Sequence, residues 1–96
     1  MIIAVASEWG ENFDRYAFYR VENAKIKEEQ VIPVPPGGVA ALAEQLVGLE
    51  VDLLIAPPMS EEVENALREA GVKVLSGVVG KAGMVAKAYL TGTLQW

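Results

Sequence analysis

Three loops hold the residues with which this chain could do chemistry. They are Ser7-Glu8-Trp9-Gly10, running on to Asn12-Phe13-Asp14-Arg15, then Pro57-Pro58-Met59-Ser60, and Ser76-Gly77-Val78-Val79-Gly80 with Lys81. The chain contains no His and no Cys, so a serine nucleophile has no conventional base and a thiolate nucleophile does not exist. Ser7, Ser60 and Ser76 instead sit at strand ends and helix caps, where small hydroxyls are usually structural. Glu8, Glu11 and Asp14 gather oxygen donors in one loop, yet their spacing matches no calcium or zinc pattern, and solvated loop acids are the commoner outcome. Gly77 to Lys81 falls short of a Walker loop twice, because Leu75 stands where glycine is needed and Ala82 where Ser or Thr is needed. What survives is a glycine-rich turn before a helix, whose N–H groups could hold an anion beside Lys81 or whose glycines simply shape the turn. Trp9 and Phe13 read as pocket lining, as an oligomer contact, or, most often for loop aromatics, as side chains folded back onto the core. Met59 and Met84 read as packing and not as sulfur donors.

The elements that position these loops follow from periodicity. Met1 to Ser7 stays apolar instead of alternating until its last residue, the mark of a strand buried on both faces. Val51 to Ala56 and the shorter Val72 to Leu75 repeat the pattern, each after a helical segment, as parallel strands joined by crossovers do. Between the first and second of these, Tyr16 to Val21 and Lys25 to Val34 form a hairpin turning at Glu22-Asn23-Ala24-Lys25, where Asn tolerates positive φ. The charges of Lys25, Lys27, Glu28 and Glu29, followed by Pro33, Pro35 and Pro36, suit an edge strand. Gly37-Gly38 opens a helix with Val39, Leu42, Ala43 and Leu46 on one face and Gly48 near its end. Ser60 is the candidate N-cap of a second helix, with Glu61, Glu62 and Glu64 in its first turn and Val63, Ala66, Leu67 and Ala70 inward before Gly71. A third spans Ala82 to Thr91 before Gly92, with Val85, Ala88 and Tyr89 inward.

The order is therefore β-β-β-α-β-α-β-α. Right-handed crossovers and an antiparallel first pair give an α/β fold with a ribonuclease-H-like motif. Its mixed five-stranded sheet has order 3-2-1-4-5, with strand 2 antiparallel and Leu54 fully buried. In such sheets ligands bind beyond the carboxyl ends of the strands, which is where all three loops fall. Fold analogy alone would suggest a metal-dependent nuclease, but the first strand holds no acid and Glu44 has no partner carboxylate that can be placed.

Ninety-six residues predict one domain, 1–96, able to bury about two-thirds of its unfolded surface. The 52% apolar and 22% charged composition is that of a globular chain. Thirteen acids against eight bases, net −5, repel phosphate backbones and argue against a general nucleic-acid binder. No stretch approaches the roughly 20 apolar residues of a membrane span, and Met1 to Ala6 lacks a basic leader, so a cytoplasmic location is expected. From Val72 onward the side chains include Lys73, Lys81 and Lys87 but no acid.

The chain resembles the dinitrogenase iron-molybdenum cofactor biosynthesis family of small carrier proteins and domains. The resemblance covers nearly the whole length and is carried by Met1 to Ser7, Phe13-Asp-Arg-Tyr-Ala-Phe-Tyr-Arg-Val-Glu-Asn23, Gly37-Gly38, Val51 to Ala56, Glu69-Ala-Gly-Val-Lys-Val74 and Ala88-Tyr-Leu-Thr-Gly92. It implies a ribonuclease-H-like fold and a role in holding nitrogenase cofactor precursors. Members commonly end the first loop in His-Phe-Gly-Arg, with the His a natural cluster ligand. Here a shortened loop has Asn12-Phe13-Asp14-Arg15, so Phe13 and Arg15 carry over while the His and the Gly do not. The third helix also departs, with Lys81-Ala82-Gly83 where relatives tend to have a Thr and acidic residues.

The expectation is a non-enzymatic binding protein whose candidate ligand residues are Ser7, Asn12, Phe13, Asp14, Arg15, Pro58, Met59, Ser60, Gly77, Gly80 and Lys81. An iron-molybdenum or iron-sulfur cluster precursor, the ligand the resemblance implies, would be held without Cys or His, through Arg15, Lys81 and backbone N–H groups. The alternative is a structural or protein-interaction module, monomeric or homodimeric, that has lost cluster binding; Trp9 and Trp96 motivate it. Neither reading includes a nucleic-acid or membrane partner.

Overall fold

Strand β1, Ile2–Val5, is the centre of the sheet in the computed structural model, which describes residues 1–10 and 13–92. It pairs antiparallel with β2, Arg15–Glu22, and parallel with β4, Leu53–Ile55. Strand β3, Lys25–Pro33, adds antiparallel to β2, and β5, Lys73–Leu75, adds parallel to β4. The resulting order, β3-β2-β1-β4-β5, is the one expected from the sequence. Helices α1 (Gly38–Gly48), α2 (Glu61–Glu69) and α3 (Ala82–Thr91) make the crossovers and the closing element.

Alternation along the strands assigns each residue to one of two cores. Ala4, Ala6, Tyr16, Leu54, Ala56 and Val74 pack with Leu42 and Leu46 of α1 and Leu67 of α2. Ile3, Val5, Ala17, Tyr19, Leu53 and Ile55 point the other way, onto Val78 and onto Ala82, Val85 and Ala86 of α3. Leu54 lies in register between Ala4 and Val74 with no exposed surface, as its central placement requires. Two helices cover one face and a single helix the other, so the α3 face is the less completely covered.

The expected Val51 to Ala56 strand shortens at both ends. Val51 donates its N–H to Leu46 O at 3.0 Å, closing the exit from α1. Asp52 locks the start of β4 to β1 twice: its N–H donates to Ile2 O at 2.9 Å, and its carboxylate accepts from Ile2 N at 2.8 Å. Gly48 is the last helical residue of α1; the left-handed residue after it is Glu50, at φ 59. Ser60 caps α2 as expected, its Oγ accepting from Val63 N at 3.3 Å. The hairpin turns through Asn23 (φ 52) and Ala24 (φ 60), a two-residue loop with both centres left-handed. Between Arg20 and Val21 the register slips, so that Arg20 faces Glu28, Val21 faces Ile26 and Lys27 is the extra residue. Among the described residues no helix is long and apolar enough to cross a membrane.

Candidate functional site

The strand directions bring the three loops to one end. The carboxyl ends of β1, β4 and β5 are aligned by parallel pairing. Since β2 is antiparallel and Val5 faces Ala17, Asp14 and Arg15 lie beyond that same end. Strand β3 finishes there too, with Pro33 opposite Arg15 and Val34 N donating to Asp14 O at 2.8 Å. The segments around Asp14, Met59 and Gly80 thus share one rim, the condition on which the functional reading depends.

Backbone and side-chain bonds stitch the rim together. Ala56 O accepts from Val78 N at 3.0 Å, tying the third loop to the second. Ser7, nearly buried at 4% exposure, donates its hydroxyl to Gly80 O at 3.0 Å, tying the first to the third across 73 residues. Gly80 meets this geometry at φ 128, a conformation that a side chain would strain. Glu8 completes the join, its Oε2 accepting from Ala82 N at 2.9 Å at the head of α3. No side chain of α3 itself caps that end and its first turn carries no acid, so Glu8 supplies both acceptor and negative charge. Of the two readings of this glycine-rich turn, an anion would find a carboxylate of the chain itself already in place on the first helical N–H.

The other candidates sort by what they touch. Ser60 accepts at the head of α2, and Ser76 donates to Glu64, whose other oxygen lies 3.4 Å from Arg68. Phe13 and Met59 are half-buried and pack on the α1–α2 core. Asp14 and Arg15 are exposed and pair with each other at 2.9 Å. The hydrogen bond from Arg15 holds the Asp14 carboxyl below the usual carboxylate range, and the same bond raises Arg15. Pro58, Gly77 and Lys81 are exposed on the rim. Asn12 and Glu11 lie outside the described residues, as does Trp96. Trp9 is half-buried against the α3-side core, the placement usual for a loop aromatic.

One feature of the rim was not among the sequence candidates. A cleft of about 380 Å³ opens on the α1 side, lined by Phe13, Val34, Pro35, Gly38, Val39 and Val63. The signal for it was the Pro35-Pro36-Gly37-Gly38 run, which follows a strand that must return to the carboxyl rim. Gly37, at φ 114, starts α1 with no side-chain cap, and a Cβ there would come within 3.1 Å of Ala41 Cβ. The backbone turns sharply enough to leave space beside Phe13.

For a metal cluster the fit is poor. The chain has no Cys or His, and among the described residues no group of three acidic side chains is placed to hold a metal ion. Coordination of a cluster by side chains is not supported by this donor set. Charge and backbone N–H groups are what the rim has to offer.

No family model matches the chain, and no curated protein does. Solved structures do. The crystal structure of PH0822 is 21% identical, covers 99% of this chain and 95% of its own, and superposes with a TM-score of 0.85. The Methanocaldococcus jannaschii protein MJ0327, provisionally assigned as a dinitrogenase, is 15% identical in its crystal structure, with 99% and 92% coverage and a TM-score of 0.75. Its NMR structure gives 13% identity, 96% and 88% coverage and a TM-score of 0.72. At these identities the likeness is one of fold, and it extends over the whole of that fold.

Proposed function

We propose that this chain is a non-enzymatic binding protein of the iron-molybdenum cofactor carrier type, with a degenerate ligand loop, that receives its ligand at the carboxyl rim. The observation that carries the reading is the stitching of Ser7, Glu8, Ala56, Val78, Gly80 and Ala82 into one hydrogen-bonded edge, beside which Phe13 and the Pro35 to Gly38 turn leave a cleft. The shared fold with a protein provisionally assigned as a dinitrogenase supports the carrier type. Cargo is held by shape, by the exposed cations Arg15 and Lys81 and by backbone N–H groups, so binding is weaker and more salt-sensitive than coordination. The protein acts in the cytoplasm, without nucleic-acid or membrane partners.

Anaerobic titration with iron-sulfur and iron-molybdenum cluster precursors tests this. A spectral change that fades with added salt is expected. Absence of any change, with no iron or molybdenum retained on the protein, would remove the carrier reading and leave the alternative of an interaction module that has lost its cluster. Light scattering across concentrations then distinguishes a monomeric module from a homodimeric one.

A further inference from the structure

We propose that the free edge of β5 is a docking slot for an extended, acidic segment of a partner protein, which adds to the sheet as a sixth strand. The two sheet edges differ in kind. At one, β3 runs for nine residues, carries Lys25, Lys27, Glu28 and Glu29, has a bulge near its start and ends in Pro33, all devices that discourage pairing. At the other, β5 is protected only by its three-residue length and one lysine; Lys73-Val74-Leu75 carries no bulge and no proline.

Its backbone is presented for pairing. Leu75 O accepts from Ala56 N at 2.8 Å, so Leu75 directs its polar groups toward β4. In a strand the next residue points the opposite way, and Val74 turns its N–H and C=O outward. Beside this edge lies an open groove of about 650 Å³, with Arg68 and Gly71 at the end of α2 on one bank and Tyr89 of α3 on the other. Leu53, Val74 and Leu75 line it between them. A strand laid along β5 would bond to Val74 and place its alternate apolar side chains in this groove.

Charge selects the occupant. The protein is net −5, yet among the described residues the charged side chains lining the groove are Arg68 and Lys73. Arg68 is tied to Glu64 at 3.4 Å, whereas Lys73 has no acidic partner among the described residues. An acidic segment finds a counter-charge here that a basic one does not. A second copy paired β5 to β5 would bring two Lys73 ammonium groups, neither with an acidic partner among the described residues, to one seam, which disfavours self-association at this edge.

Hydrogen exchange followed by NMR, on the full chain, tests the slot. The probes are a short blocked peptide alternating valine and glutamate and its valine–lysine counterpart. The acidic peptide should slow exchange of the Val74 amide and shift the resonances of Lys73, Leu75 and Tyr89, while the lysine peptide leaves them unchanged. Lys73→Glu, an exposed substitution that keeps the fold, should weaken the acidic peptide roughly fivefold. Val74→Pro removes the outward donor at a position where an edge strand accommodates proline, and should abolish binding with the circular dichroism spectrum retained. Should Val74→Pro unfold, the Lys73→Glu comparison still decides. Equal binding of both peptides, shifts confined to the rim loops or to β3, or no binding at millimolar peptide would each overturn the proposal. So would Val74 protection that grows with protein concentration alone, the signature of a second copy.

Discussion

Replacing Glu8 by alanine should weaken the fold more than an exposed loop carboxylate normally would. Its Oε2 accepts from Ala82 N at 2.9 Å and is the side-chain cap of α3. Loss of a side-chain cap costs about 1 kcal/mol, and loss of a negative charge at a helix N-terminus about 0.5 kcal/mol more. The sum, roughly 1.5 kcal/mol, corresponds to a fall in Tm of about 6–12 °C for a domain of this size. Glu8→Gln keeps an acceptor oxygen but not the charge, and should lose only about 0.5 kcal/mol. Urea denaturation followed by circular dichroism gives the ranking, and added sulfate gives a second reading. With the carboxylate gone, the head of α3 can take an external anion, so sulfate should stabilise Glu8→Ala more than the parent, compared with chloride at equal ionic strength. The reasoning is refuted if alanine falls within about 0.3 kcal/mol of the parent. It is equally refuted if glutamine costs as much as alanine, since the hydrogen bond would then contribute nothing.

Three further outcomes follow from the same geometry. Leu54→Ala, at a position with no exposed surface, should cost about 2–5 kcal/mol in urea denaturation, and a loss under about 1 kcal/mol would contradict its central placement. Ala24→Gly should stabilise by roughly 0.5–1 kcal/mol, because Ala24 sits at φ 60 and glycine relieves the left-handed penalty; a loss of stability would show that the turn is not two-residue and left-handed at both centres. Burial pushes both Tyr16 and Tyr19 up to about 12, with Glu29 and Glu8 adding to the effect at Tyr19. A folded value above the unfolded one, about 10, means that the native state holds these protons more tightly. Their contribution is therefore complete below pH about 10 and disappears as pH rises toward about 12. Ultraviolet difference titration should show two phenols ionising late or together with unfolding, and normal ionisation of all three tyrosines in a folded protein would refute it.

The fold was legible because its signals are local and repeated. Unbroken apolar runs at Met1 to Ser7 and Val51 to Ala56 mark doubly covered strands, and the Ser60 cap and Gly92 exit are punctuation within one turn of chain. Boundaries slipped where a bond outside the strand competed: Val51 is taken by Leu46, and Glu50 instead of Gly48 makes the left-handed exit of α1. The rim was legible as a location but not as a set of contacts. Nothing in periodicity says that Ser7 reaches Gly80 or that Glu8 reaches Ala82, because those pairings join residues more than seventy positions apart. Read locally, Glu8 groups with Glu11 and Asp14 as oxygen donors of one loop, with solvated acids the commoner outcome; in the fold the Glu8 carboxylate faces α3, and Asp14 faces Arg15.

That reassignment decides what kind of binding the rim can perform. Here the donors that could serve are engaged: the Ser7 hydroxyl with Gly80, the Glu8 carboxylate with α3, the Ser60 hydroxyl with α2, and Ser76 with Glu64. What remains for a ligand is shape beside Phe13, backbone N–H groups, the rim cation Lys81, and Arg15 already paired with Asp14. A ligand arriving there would find those side-chain groups engaged and would gain from apolar burial, a small number of charge contacts and backbone N–H groups. The β5 edge is the reverse case, with an outward N–H and C=O at Val74 that a strand can pair. The two ends of the functional question are thus physically distinct. Under the proposed function, recognition at the rim would depend on the cleft and would weaken with salt through Lys81 and Arg15. Recognition at the edge would depend on backbone pairing at Val74 together with the charge of Lys73, so removing that single N–H should abolish it.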